Sequence, residues 1–405
     1  MEILASGPAW SNLTASRLPH VYSFRTARER YPSLPVYAGP ERIERDDWTR
    51  PVRARRLVEQ MVAWLVCYLA ESRPSAILLT DATEQLGADQ LLAIAASRVG
   101  IPTVRVRDAW GTAAGVENRA WRDRLSVAMR REALATRYLE IDERGVELSA
   151  RRLGIPRNRL RAVRGLYTLD RLVGRATPAR RARARQRIGV GPNEPLVVFF
   201  VQPTHRERAE VEALDAFVGA MNRAGLGTRG VILATQEHPR EADPADGRLG
   251  LNWAAARATA AYDGRVVNFT PLVIGQRTVS FEDTMMAADV FASSYSNASI
   301  EATALGASAV GLRPEECPIG FHTLCPAGVR RTMRTTRAGM TIMPFAAQRA
   351  LPYATRAGDI APAVARLLFR PSSREAHFRV LRRRWHLGAC ADRVLDEVLE
   401  LVSQS

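Results

Sequence analysis

Residues 76–106 read AILLTDATEQLGADQLLAIAASRVGIPTVRV, and the fold class turns on this stretch. Ala76-Ile-Leu-Leu-Thr80 is a short continuous apolar run, as expected of a strand buried on both faces. Ala88, Leu91, Leu92, Ala95, Ala96 and Val99 then recur at the spacing of one helical face, and Gly100 stands where a helix ends. Pro102 opens Thr103-Val-Arg-Val106, a second strand. The stretch is therefore one βαβ unit. Its loops 81–85 and 107–112 fall at strand C-terminal ends, where open α/β sheets bind ligands.

Working outward, a second alternating series begins at Leu196-Val-Val-Phe-Phe-Val201. Val211, Leu214, Phe217, Val218 and Met221 mark a helix face, and Gly230-Val-Ile-Leu-Ala-Thr235 is the next strand. Arg265-Val-Val-Asn-Phe269, Asp289-Val-Phe-Ala-Ser293 and Ala309-Val-Gly-Leu312 continue it, with a helix over 298–305 closed by Gly306. This alternation predicts an α/β protein of two Rossmann-like, doubly wound parallel-sheet domains with a cleft between them. The expected division is an N-terminal Rossmann-like domain over 1–175, a linker over 176–195 rich in Arg, Ala, Gly and Pro, a second Rossmann-like domain over 196–371, and a helical segment over 372–405.

Composition narrows the function. The 405 residues carry 58 basic side chains against 42 acidic ones, a formal charge of +16, and every basic residue is arginine. Without lysine the chain can form no Schiff base and no lysine-bearing phosphate loop. The arginines are spread along the chain, with dense runs only at 180–187 and 379–384, and no aromatic interleaving or zinc-finger spacing accompanies them. Solvated helix surface plus a phosphate-binding cleft is the preferred reading, and nucleic acid the minor one. The cysteines, Cys67, Cys317, Cys325 and Cys390, form no CxxC pair and no disulfide framework, which fits a reducing compartment. The N-terminus lacks a basic leader, and the apolar run 61–69 is too short to span a bilayer. A cytoplasmic protein with no transmembrane segment is expected; its oligomeric state is open.

Several residues are placed for chemistry. The segment Ser293-Ser-Tyr-Ser-Asn-Ala-Ser-Ile-Glu301 takes a strand into a helix through small hydroxyl residues. Such a junction either binds an anion, with Ser294, Ser296, Asn297 and Ser299 as donors, or simply caps the helix while Glu301 compensates its dipole. His238, before Pro239 at the end of a strand, can donate to a phosphate, and His205 stands at the matching end of the preceding strand. Arg313 is a further phosphate candidate. Asp81, Glu84 and Asp108 each follow a strand of the first domain, and Asp81 and Asp108 are the acid/base candidates. No GxGxxG, GxSxG, HExxH, Walker or DxD motif is present, so neither a resident cofactor nor a metal site is expected.

The second half resembles the nucleotide-binding domain of GT-B glycosyltransferases and of the related UDP-N-acetylglucosamine 2-epimerases. The resemblance rests on 197–206, on the strand ending in His238-Pro239, and on Asp289-Val-Phe-Ala-Ser-Ser-Tyr-Ser-Asn-Ala-Ser-Ile-Glu-Ala-Thr-Ala-Leu-Gly306. It extends more weakly to 76–112, Arg137-Tyr-Leu-Glu-Ile-Asp142 and 153–170. It implies a transferase of sugar biosynthesis that is metal-independent, takes a nucleotide-sugar as co-substrate and glycosylates a small-molecule or glycan acceptor. It further implies that Glu301 binds the ribose hydroxyls and His238 a phosphate. Where the family has two glycines at the turn, Tyr295-Ser296-Asn297 stand instead, closer to the serine-containing turn of bacterial sialyltransferases. Epimerases carry acidic residues near the places of Asp81 and Asp108, but Asp108-Ala-Trp-Gly replaces their surrounding motif. Two alternatives therefore stand beside the transferase: a nucleotide-sugar 2-epimerase or hydrolase, and a non-catalytic nucleotide- or nucleic-acid-binding protein.

Overall fold

The structure is a computed structural model that describes residues 3–5, 21–23, 51–80, 88–107, 125–165, 167–170, 172–201, 209–237, 252–268, 280–293, 298–312, 334–335, 341–342, 353–354, 357–370, 376, 379 and 389–404. The chain forms two compact units, Met1–Arg171 with Gly388–Ser405, and Leu172–Leu387.

The first unit is built on six parallel strands: β1 (Ile3–Ala5), β2 (Val21–Ser23), β3 (Ala76–Thr80), β4 (Thr103–Val106), β5 (Arg137–Glu140) and β6 (Leu160–Ala162), ordered β2-β1-β3-β4-β5-β6. Between them run helices α1 (Pro51–Ser72), α2 (Ala88–Val99), α3 (Val127–Glu132) and α4 (Glu143–Leu148), and α5 (Tyr167–Asp170) follows β6. Two-residue alternation sorts β3: Ile77 and Leu79 pack with Val58, Val62 and Leu65 of α1 and Leu91 and Ala95 of α2. Ala76 and Leu78 face the other way, with Val104, Val106 and Leu139.

The second unit opens with α6 (Pro178–Arg187). It continues through β7 (Leu196–Val201), α7 (Ala209–Arg223), β8 (Ile232–Glu237), α8 (Trp253–Ala261), β9 (Val266–Asn268), α9 (Phe281–Ala287), β10 (Val290–Ser293), α10 (Ala298–Ala304) and β11 (Ser308–Leu312). A two-stranded ribbon, β12 (Arg334–Thr335) with β13 (Thr341–Ile342), precedes β14 (Tyr353–Ala354) and α11 (Ala357–Phe369). The parallel sheet runs β14-β11-β10-β7-β8-β9. Its centre is β7, whose six residues are all buried. Val197, Phe199 and Val201 join Phe217, Met221 and Val364 on one face. On the other, Phe200, Phe281 and Phe291 pack ring to ring, with centroids 5.0–6.4 Å apart.

The last helix, α12 (Cys390–Gln404), returns to the first unit. Val394, Val398 and Leu401, at helical spacing, cover Ala76, Leu78, Val104, Val106 and Leu139. Arg137 of β5 donates from Nη1 to Glu397 Oε2 at 2.8 Å, and Asp170 accepts from the Ala391 N–H at 2.5 Å. The tail thus supplies the second layer of the first sheet.

The basic run at 180–187, read from sequence as solvated surface or linker, is something else. Thr177 caps α6, and Arg181 and Arg185 turn into the second unit while Arg183 and Arg187 stay exposed. Arg181 donates to the carbonyls of Met286 and Ala288 at 2.9 Å and to Asp289 Oδ1 at 2.7 Å. Arg185, 2% exposed, donates to Ala287 O at 2.7 Å, to Gly191 O and Glu194 O, and to Asp289 Oδ2. Asp289 Oδ2 also accepts the Leu196 N–H at 2.9 Å, so one carboxylate ties α6 to the starts of β7 and β10. The long arginine stem is what lets an exposed-looking sequence bury its charge.

Candidate functional site

Strand polarity brings the C-terminal ends of β7, β8 and β10 to one edge of the second sheet. Ser293, Phe200 and Gln236 occupy one row across the three strands. Past this row the chain enters α10, and Ser293 and Ser299 Oγ atoms meet at 2.7 Å. Thr303 Oγ1 donates to the Ser299 carbonyl at 2.9 Å. Ser299 is buried (1% exposed), so its hydroxyl clamps helix to strand; it is not a surface donor as its sequence position suggested. In α10 the side chains of Ala298, Ser299, Ile300, Ala302, Thr303 and Ala304 are all buried, and Glu301 is half-buried. A seven-residue helix has a modest dipole, so accessible side chains matter more here than its N-terminus.

Gln236 and Glu237 escaped the sequence reading, which ended the strand at Thr235. Gln236 Oε1 is buried without a hydrogen-bond partner. Glu237, 1% exposed, accepts the N–H groups of Asn252 and Ala254, both at 2.9 Å. It stands in for the N-cap of α8, where Asn252 is left-handed (φ 71°) and makes no side-chain cap bond. A buried anion at a helix N-terminus is well compensated, so Glu237 holds β8 to α8.

At the matching edge of the first sheet the strands end in charge. Arg107, just past β4, lies with its Nε 3.4 Å from Glu140 Oε1 at the end of β5; both side chains are fully buried. Ser149 Oγ donates to the same oxygen at 2.5 Å, and the Arg107 guanidinium lies 5.4 Å from the Tyr138 ring centroid. A Cβ on Gly145 would stand 3.0 Å from Glu140 Oε2, so glycine there makes room for the carboxylate. The signal in sequence was Thr103-Val-Arg-Val-Arg107: arginines alternating with valines inside a strand that must be buried.

Among the nucleotide-site candidates the described residues include Ser299, which meets Ser293, and Glu301 on the same short helix. Asp81, Glu84, Asp108, His205, His238, Ser294, Ser296, Asn297 and Arg313 lie outside the described residues. Among the described residues, no three His, Cys, Asp or Glu side chains group to hold a metal ion, and no helix is long and apolar enough to cross a membrane. A groove of ≈ 640 Å³ runs along the outer side of α11, lined by Arg229, Pro362, Arg366, Phe369 and Arg370. It reaches Arg229, which precedes the start of β8, and is distinct from the strand-end row.

Solved structures give this geometry its relatives. A UDP-GlcNAc 2-epimerase from Neisseria meningitidis, bound to UDP-GlcNAc, is similar at a TM-score of 0.54 and 12% identity, over 99% of this chain and 100% of that one. A glycosyltransferase from Rickettsia africae ESF-5 reaches 0.60 at 10% identity, over 100% and 99%. The α,α-trehalose 6-phosphate synthase of Burkholderia multivorans reaches 0.56 at 13%, over 99% and 97%. The fold is GT-B. No family model and no curated protein sequence matches the chain. At such identities the likeness fixes the architecture of the two units, and residue roles must come from the site itself.

Proposed function

We propose that the protein is a metal-independent glycosyltransferase that moves a sugar from a nucleotide-activated donor, held by the second unit, to an acceptor hydroxyl held by the first. The observation that carries this reading is Glu301. It is the accessible carboxylate of an otherwise buried helix, directly beyond the strand-end row, where it suits a pair of ribose hydroxyls. The Ser293–Ser299 hydrogen bond ties its helix to the end of β10. His238, His205, Ser294, Ser296, Asn297 and Arg313 follow strand ends of the same unit and are assigned to the phosphates. Leaving-group charge is then met by hydrogen-bond donors and guanidinium groups. Asp81, with Asp108 second, is assigned as the base that deprotonates the acceptor.

The epimerase likeness supports a second reading, a nucleotide-sugar 2-epimerase or hydrolase. A product assay separates the two: epimerisation needs no acceptor and leaves the nucleotide attached, whereas transfer requires the acceptor. The site itself is tested by calorimetric titration with CMP, CDP, UDP, GDP and dTDP. Glu301→Ala is expected to weaken the nucleotide that binds by about tenfold to a hundredfold, the worth of a charge-assisted hydrogen bond. Unchanged affinity in a folded variant removes Glu301 from the site.

A further inference from the structure

Four arginines are buried among the described residues: Arg105, Arg107, Arg137 and Arg185. Guanidinium stays charged throughout the range in which proteins fold, and an unpaired buried charge costs several kcal/mol. Three of the four are compensated. Arg107 has Glu140, Arg137 has Glu397 and Glu400, and Arg185 has Asp289 with backbone carbonyls. Arg105 is the exception. It is 1% exposed, its Nε and Nη1 are buried without a hydrogen-bond partner, and it forms no ion pair among the described residues.

Its place in the fold makes this more pointed. Arg105 is the third residue of β4, and its register neighbours are Leu79 on β3 and Tyr138 on β5. Leu79 belongs to the apolar cluster under α1 and α2, and Tyr138 to a second one with Ala135, Ile155 and Leu160. Neither cluster offers a carboxylate. Glu140, two residues beyond Tyr138 on β5, is engaged by Arg107 and Ser149. A buried cation between two apolar clusters, one residue from the end of a central strand, is poised for a counter-ion that the described chain does not supply.

We propose that Arg105 is the anchor of an oxyanion-binding site in the first unit, and that a ligand's carboxylate or phosphate provides the missing charge. The identification of that ligand as the acceptor rests on the glycosyltransferase reading; the anion site does not. An acceptor bearing such a group would be selected over a neutral one, because binding relieves a desolvated charge and adds charge-assisted hydrogen bonds.

The experiment is thermal unfolding of the full chain with inorganic phosphate or sodium acetate, against sodium chloride at equal ionic strength. Wild type is compared with Arg105→Met, which keeps an unbranched stem without charge, and with Arg105→Lys, which keeps the charge. Wild type is expected to gain on the order of 5 °C from the matching anion at about a hundredfold excess over its Kd. Arg105→Met loses that gain and Arg105→Lys retains part of it. The arm that responds, tetrahedral or planar, identifies the group. An anion gain that persists unchanged in Arg105→Met, or its absence from wild type, overturns the proposal, whichever way the variant's own stability moves. Nucleotides are titrated in parallel. Loss of the nucleotide response alone removes the glycosyltransferase reading and leaves the anion site standing.

Discussion

The two units are both six-stranded parallel sheets, differently ordered, and they also differ in how they bury charge. In the second, two carboxylates are tied to backbone: Asp289 accepts the Leu196 N–H and holds two arginines that also bond carbonyls, and Glu237 caps α8. In the first, Arg107, Glu140 and Ser149 meet side chain to side chain, and Arg105 has no partner among the described residues. Backbone-anchored charge stiffens a scaffold, because each bond fixes two elements. Side-chain charge at strand ends is easier to recruit to a ligand. The difference gives the second unit a backbone-tied scaffold and leaves the charge inside the first unit resting on side chains.

The largest test of this contrast removes residues 388–405. Without α12 the face formed by Ala76, Leu78, Val104, Val106 and Leu139 meets water. Val394, Val398 and Leu401 alone account for roughly 5–9 kcal/mol at about 1.5–3 kcal/mol each, which rivals the whole stability of a domain. Hydrogen exchange read by mass spectrometry should show the first unit open and the second unit protected. Protection surviving in both would mean that α12 is dispensable for the first unit.

Next in size are the two carboxylates that hold arginines. Asp289→Ala removes the counter-ion of Arg181 and Arg185, which keep their backbone carbonyls, and leaves the Leu196 N–H without its acceptor. The expected loss is about 3–5 kcal/mol in the denaturant transition of the second unit. Glu140→Ala takes the carboxylate from Arg107, and about 3 kcal/mol is expected from the first. Glu237→Gln is milder: the amide oxygen still accepts one N–H at the start of α8, and about 1.5–3 kcal/mol goes with the charge. Equal losses from all three would erase the distinction between backbone-tied and side-chain-tied charge.

The contrast also explains what was legible in the sequence. Alternation and length gave both sheets, since β3, β7 and β10 are mainly apolar runs whose burial their composition dictates. The Ser293–Glu301 junction was legible because small hydroxyl residues between a strand and a helix have few other uses. The return of α12 to the first unit was not, because its stripe of Val394, Val398 and Leu401 fits any apolar face and periodicity does not name the partner. Arg181 and Arg185 were misread for a related reason. A run of arginines in sequence looks solvated, and only the fold shows that one carboxylate at residue 289 draws two of them inward. Glu237 looked like loop because its role, capping a helix sixteen residues on, is a tertiary fact.

The smallest effect separates the units by pH. Burial raises the Cys390 thiol well above its ordinary 9.0, and the nearby Asp170 adds to it. Burial likewise raises Tyr262 in the second unit from 10.0 to about 12, with Asp263 adding, while its hydroxyl donates to Val231 O at 2.9 Å. Each group binds its proton more tightly when folded, so its contribution is complete below the unfolded value and is lost as pH rises above it. For Cys390 the loss starts near 9.0, at no more than about 1.4 kcal/mol per pH unit. For Tyr262 it starts near 10.0 and runs on towards 12. Between pH 9 and 10 the first unit should therefore weaken through Cys390 while Tyr262 still leaves the second unaffected. Denaturant unfolding followed by hydrogen exchange at pH 8.5 and 9.8 reads each unit separately. Cys390→Ala should flatten the slope of the first unit and leave that of the second unchanged. A slope in the first unit that survives this substitution would mean that α12 does not keep the thiol dry.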